Sequence, residues 1–146
     1  MVESTGHLPA EWAPQRAVML TWPHEDSDWR PWLAAVEPVF VRIAAEVARR
    51  ESVLIACRDA ALAGRVRRLL DAAGVDAARV HLHAVPTQDT WARDHGPITV
   101  LRKGFPLLLD FGFNGWGGKF PADMDDQISR RLHALGAFDG APMARV

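Results

Sequence analysis

The residues best placed to do chemistry lie in one loop near the middle of the chain. Gln88 to Pro97 (QDTWARDHGP) holds an acid, an indole, a guanidinium and a second acid within six residues. Polar loops between strands are where binding and catalytic groups usually sit. Asp94 can accept two parallel hydrogen bonds from a guanidinium or amidinium ligand, and Trp91, three residues earlier, can lay its face on the same cation. The pair suits a planar cationic substrate. The same spacing also permits a structural use, with Asp94 paired to Arg93 or capping a turn and Trp91 partly buried.

A second segment, Phe111 to Phe120 (FGFNGWGGKF), carries four glycines in ten residues. Its backbone can therefore reach positive φ and approach a ligand closely. It fails as a phosphate loop, because Phe113 stands where that motif needs glycine and Phe120 where it needs Ser or Thr. What remains is a loop presenting Asn114 and Trp116, or simply a wide turn.

Metal chemistry has little support. His81 and His83 alternate on one strand and share a face, but more naturally flank a sheet. His24, Asp26 and Asp28 cluster without the glycine and terminal glutamate of a calcium loop. Cys57 is the only thiol, ends an apolar strand and has no nearby His to activate it, so it reads as a small buried hydrophobe. No serine-nucleophile elbow is present. Arg65, Arg67 and Arg68 read as a solvated helix face without a role.

Composition narrows the classes further. At 146 residues and 49% hydrophobic, the chain is one domain's worth of globular material. A net charge of −1 implies neither a nucleic-acid groove nor an acidic tail. No apolar run approaches the ~20 residues of a membrane span, and no export signal is visible at the start, so the expected address is cytoplasmic. One cysteine rules out an internal disulfide. Six tryptophans lie mostly beside Pro, Gly or charged residues, which suggests that some line a pocket.

Elements that position these loops follow from periodicity. Ala17 to Trp22 (AVMLTW) and Ser52 to Cys57 (SVLIAC) are short apolar runs, each a buried strand. Between them Trp32, Val36, Phe40, Ile43 and Val47 mark a helix running to about Arg50, which Pro38 must kink or begin. Asp59 caps a second helix carrying Leu62, Val66, Leu69 and Leu70 and stopped at Gly74. Strands are expected at Arg79 to Val85, Pro97 to Leu101 and Pro106 to Phe111, the last two joined as a hairpin through Lys103 and Gly104. Asp123 or a neighbour caps a last helix with Met124, Ile128, Leu132 and Leu135 on one face and Gly136 beyond it. This alternation is that of an α/β domain with a mostly buried sheet. The closing APMARV begins like another strand and ends before it can pair, which suggests truncation.

Three segments in order, LPAEWAPQRAVMLTWPH, QDTWARDHGPI and FGFNGWGGKF, resemble the agmatine deiminase and bacterial peptidylarginine deiminase family. The resemblance implies a guanidine-modifying (pentein) α/β propeller of five ββαβ-type modules, of which residues 1–146 form a partial domain: the first module and the beginning of the second. It implies attack of a cysteine thiolate on the guanidinium carbon, proton shuttling by a histidine, and carboxylates that hold the nitrogens. Agmatine would yield N-carbamoylputrescine and ammonia, with no metal or organic cofactor. By motif, Asp94 matches the guanidinium-binding aspartate and Trp91 the tryptophan lining the same pocket. Asn114 and Trp116 match the loop that walls the substrate's aliphatic chain, and Arg93 holds its loop through ion pairs. Peptidylarginine-type members are expected to carry arginines in this region, so Asn114 and Trp116 favour a decarboxylated substrate. Glu11 and Trp12 fit the opening motif and are expected to pack the terminus.

Among these residues the family's second acid and histidine motif and its cysteine segment have no counterpart. The chain alone is therefore expected to lack deiminase activity and to associate through exposed module edges, as a homo-oligomer or otherwise. The expected partner is a small guanidino compound, with neither nucleic acid nor membrane. The rival readings are a remnant or cation-binding domain without catalysis, a peptidylarginine deiminase, and a nucleotide-binding α/β domain. The last lacks the glycine fingerprint.

Overall fold

The computed structural model describes residues 6–146. Its first unit is a parallel sheet in the order β1-β2-β3, formed by β1 (Ala17–Thr21), β2 (Ser52–Cys57) and β3 (Val80–Ala84). Strand order equals chain order, so both crossover helices must lie on one face if each crossover is right-handed. α1 (Leu33–Ala48) and α2 (Ala60–Ala72) do so, packing on Val53, Ile55 and Cys57 of β2. Alternate residues of the same strand, Leu54 and Ala56, face a second apolar cluster with Val85, Ile128 and Leu132. β2 is thus buried on both faces, which is why it reads as an unbroken apolar run.

The second unit is a separate sheet in the order β4-β5-β6, so the single sheet expected from the alternation is two. β4 (Ile98–Arg102) and β5 (Phe105–Asp110) form the expected hairpin. Lys103 and Gly104 both have positive φ (52° and 81°), the two-residue turn that matches strand twist. β6 (Met143–Arg145) then runs parallel to β5, its register fixing Leu108 against Met143. This corrects the expectation that APMARV stops before pairing. Buried Asp110 explains the pairing, since it accepts from Arg130 and from Arg145 of β6 (2.8 and 2.9 Å). The unit also holds α5 (Ile128–Ala134).

Caps and breakers mostly behave as their chemistry dictates. Asp59 accepts the Leu62 N–H at 2.8 Å and starts α2, and Gly74 follows its end at φ 72°. Pro38 does not begin α1, which starts at Leu33 and runs through it. Asp123 caps nothing by its side chain. A 3-10 turn, Asp125–Gln127, precedes α5, and the carboxylates of Asp125 and Asp126 are drawn instead to neighbouring loops. Of the predicted α5 face only Ile128 and Leu132 are buried, while Met124 and Leu135 are exposed.

Two of the three arginines expected to have no role, Arg65 and Arg67, are built into the packing. Arg65 makes two bonds to Glu37 of α1 (2.5 and 2.6 Å), and Glu37 also accepts the Trp22 indole N–H. Arg67 donates to the Val80 carbonyl. Trp12, expected to pack the terminus beside Glu11, is 88% exposed. Cys57 is fully buried, and desolvation, with a smaller contribution from Asp59, pushes its thiol up to about 12. Iodoacetamide at pH 8 should therefore leave Cys57 unmodified in the folded protein and alkylate it only in denaturant, as mass spectrometry would show.

Candidate functional site

Three loops leave the sheets on one side and meet. The first follows β1 and carries Asp28, Trp29 and Trp32; the second follows β3 and carries Asp89, Trp91 and Asp94. Both leave the carboxyl ends of parallel strands, where ligand crevices form in open α/β sheets. The third follows β5 and brings Trp116 and Phe120. Together these eight side chains line an open cleft of about 560 Å³.

The second loop is held from beneath. Asp125, 1% exposed, accepts the backbone N–H groups of Gln88 (2.7 Å) and Asp89 (3.1 Å). Gln88 answers by accepting the Met124 N–H through its side-chain oxygen. Burial raises the Asp125 carboxyl above its ordinary value, partly offset by those two backbone bonds. The short helix α3 (Ala92–His95) then presents Asp94. Gly96 follows it at a position where only glycine fits, because a Cβ there would lie 2.4 Å from the Ala92 carbonyl oxygen.

His95 anchors α3 on the first sheet. Its Nε2 lies 3.2 Å from the Thr21 hydroxyl, its carbonyl accepts from Ser129, and its ring meets Phe113 edge-on at 6.3 Å. Burial outweighs the nearby Asp94 and Asp89 charges and lowers it to about 4. It is a neutral packing group at pH 7.

The third loop is strained where it matters. Within the turn α4 (Gly115–Gly118), Trp116 has φ 58° and ψ 51°, a left-handed conformation costly for a side chain of that size. Neighbours enforce it. The Asn114 side chain accepts the Gly117 N–H at 2.8 Å, and Gly115, at φ 63°, has no room for a Cβ beside the Phe120 carbonyl. Trp116 is thereby packed edge-on against Phe113 (5.1 Å), Phe120 (5.8 Å) and Trp91 (6.2 Å). Its indole N–H points at Asp94 (3.3 Å).

Asp94, Trp91 and Trp116, all predicted from the sequence, are therefore brought together. Asn114 is not among the residues lining the cleft; its side-chain oxygen accepts the Gly117 N–H within the turn that carries Trp116. Arg93 makes no ion pair among the described residues, contrary to its expected role. His81 and His83 lie on β3 away from the cleft lining, and Asp26 pairs with Arg58. Among the described residues no three His, Cys, Asp or Glu side chains converge as metal ligands.

Sequence reasoning missed Trp29, Asp28 and the use of Asp89. The Asp89 carboxylate accepts the indole N–H groups of Trp29 and Trp91 (both 3.0 Å) and its own neighbour's N–H from Thr90 (2.7 Å). The only available signal was a run of tryptophans beside acids. Asp89→Asn should remove the acceptor for one indole, costing about 1 kcal/mol and altering the near-ultraviolet circular dichroism of the Trp29 and Trp91 pair. An unchanged near-ultraviolet spectrum would contradict this assignment.

Comparison with known proteins places the geometry. The sequence profile of the Porphyromonas-type peptidyl-arginine deiminases matches residues 7–144. A Shewanella baltica protein provisionally named agmatine deiminase is 34% identical over 132 residues, covering 86% of this chain and 34% of the relative. The chain thus spans about a third of the length of the curated relatives it matches. The structure of a provisionally named arginine deiminase from Porphyromonas gingivalis superposes with a TM-score of 0.80 at 46% identity, over 96% of this chain and 40% of that one. A Cys-to-Ser variant of C. jejuni agmatine deiminase with substrate bound gives 0.83 at 27% identity, over 97% of this chain and 40% of that one. Three loops, one aromatic cleft and a matching profile lead to one conclusion: the chain belongs to the Porphyromonas-type peptidyl-arginine deiminase family.

Proposed function

We propose that this chain supplies the aromatic and acidic wall of a deiminase site for a small guanidino compound, agmatine in the whole protein, giving N-carbamoylputrescine and ammonia. The observation that carries it is Asp94: one carboxylate oxygen meets the Trp116 indole, and the group stands among Trp91 and Trp116 in an open cleft. A carboxylate beside indole faces binds and orients a planar cation through charge-assisted hydrogen bonds and π contact. Orientation matters because a guanidinium is a poor electrophile, and a fixed geometry lowers the barrier to attack. Trp91 and Trp116 exclude water from its faces.

Substrate choice follows from the lining. It contains three acids and no Lys or Arg among the described residues. A carboxylate-bearing substrate would meet like charge there, so agmatine is favoured over arginine or a carboxy-terminal peptidyl-arginine. The fold proposed for the whole protein is the five-module propeller, with these two sheets as its opening modules. Ureido product formation by the full-length protein, compared between agmatine and a peptidyl-arginine, tests the reading. Preference for the peptide would overturn it.

One observation favours binding without turnover by this chain alone. Its only cysteine is buried with its thiol held far from ionisation, so these residues offer no thiolate to attack the guanidinium. Calorimetry with agmatine alongside an ammonia assay separates the two activities. Saturable binding without ammonia is expected; ammonia release by the 146-residue chain would refute it.

A further inference from the structure

Three carboxylates line the cleft, and they are not equivalent. Asp89 is occupied by two indole N–H groups and the Thr90 N–H. Asp94 has one oxygen on the Trp116 indole and the other without a partner among the described residues. Asp28 lines the same cleft, is exposed, and accepts no hydrogen bond and joins no ion pair among the described residues.

The order of the walls connects the two open acids. Asp28 directly precedes Trp29, whose ring lies 6.2 Å from Trp91; Trp91 in turn lies 6.2 Å from Trp116, whose N–H meets Asp94. A row of three indoles therefore joins a carboxylate at each end. Indole faces suit a methylene chain as well as a cation. A single guanidinium on Asp94 uses only one end of that row.

We propose that Asp28 is a second cation subsite, which holds the distal ammonium of a guanidino substrate whose two positive groups are separated by an aliphatic chain lying along Trp29 and Trp91. This rests on the reading of Asp94 as the guanidinium anchor. Asp28 is then a specificity-determining residue: it distinguishes a dicationic guanidine from one with the same carbon chain that lacks the ammonium. Asp89 sets the spacing by fixing Trp29 and Trp91, and takes no part in holding charge from the ligand.

The test is calorimetric titration of this chain with agmatine and with 1-butylguanidine, in the wild type and in Asp28→Asn and Asp28→Glu. Wild type should bind agmatine about tenfold more tightly, as expected for one partly exposed charge-assisted contact. Asp28→Asn should bring agmatine down to the level of 1-butylguanidine and leave the latter unchanged, while Asp28→Glu restores most of the difference. Because the Asp28 side chain has no partner in the described structure, the thermal melt should be the same for all three proteins. Equal affinity for the two ligands in the wild type, or an unchanged ratio in Asp28→Asn, overturns the subsite and leaves Asp94 standing. Absence of binding by either ligand overturns both together.

Discussion

Replacing Asp94 by Ala in the full-length protein should lower agmatine turnover by about a thousandfold. Asp94 is the carboxylate of the indole-lined cleft with an oxygen free beside Trp91 and Trp116. Its loss removes both the charge that orients the guanidinium and the hydrogen bonds that strengthen as the carbon becomes tetrahedral; removing one preorganised polar contact of this kind typically costs ~10²–10³ in rate. Asp94 also accepts the Trp116 N–H, so the alanine variant mixes lost anchoring with a loosened wall. Asp94→Asn separates the two effects, since it keeps an oxygen for the indole and loses the charge and the second acceptor. Its turnover should fall nearly as far while the near-ultraviolet dichroism of the tryptophans holds. Ammonia release near the wild-type rate from Asp94→Asn would remove the guanidinium anchor from the proposal.

Acid should destabilise the protein well above the range where carboxylates titrate. His95 ordinarily has a pKa of 6.5 and is lowered to about 4 by burial. Its folded pKa lies below the unfolded one, so the unfolded chain binds the extra proton between those values. The stability that depends on neutral His95 is complete above about pH 6.5 and is lost progressively as the pH falls to about 4. A difference of that size corresponds to on the order of 3 kcal/mol. Buried His24 is shifted in the same direction, chiefly by desolvation, and adds to the loss. Asp125 acts the other way, because burial raises its pKa and proton uptake there favours the folded state. Asp126 is lowered from 3.8, its bonds from the Phe113 N–H, Arg145 and Arg130 together outweighing desolvation, and so contributes only at still lower pH.

Urea midpoints at pH 7.5, 5.5 and 4.5 test this directly. The wild type should weaken across the series, and His95→Gln should be less stable at pH 7.5 but flatter between 7.5 and 4.5. A wild-type midpoint independent of pH over that interval would mean that His95 is not held neutral. The consequence reaches the site as well as the fold. The His95 ring packs on Phe113, and Phe113 packs on Trp116, so protonation beneath α3 should loosen the wall that faces Asp94.

Features legible from residue order share a short physical range. SVLIAC is apolar throughout because the strand is buried on both faces, and its limits coincide with β2. Asp59 announces a helix because its carboxylate reaches a backbone N–H three residues away. Lys103 and Gly104 announce a hairpin because a short turn between two apolar runs draws on a glycine for positive φ, and here both residues adopt it. Asp94, Trp91 and Trp116 were identifiable through the ordered motifs of the family, which concentrate unusual residues in two short loops.

What lay beyond reach depended on contacts between distant segments. Trp29 meets Asp89 across 60 positions, and nothing in either neighbourhood signals that an indole 60 residues away will occupy that carboxylate. Asp123 and Arg93 were assigned local partners because sequence offers only local ones. In the structure, the carboxylates ahead of α5 turn outward to hold the loops at Gln88 and Phe113. The final strand pairs because Asp110 on β5 holds Arg145 on β6, 35 positions apart. Residue order by itself determined the elements, the caps and the chemistry of two loops, since these rest on hydrogen bonds and burial patterns within a few residues. Only the tertiary structure decided which acids are occupied and which remain open to a ligand, because that depends on indoles and backbone N–H groups delivered by separate strands.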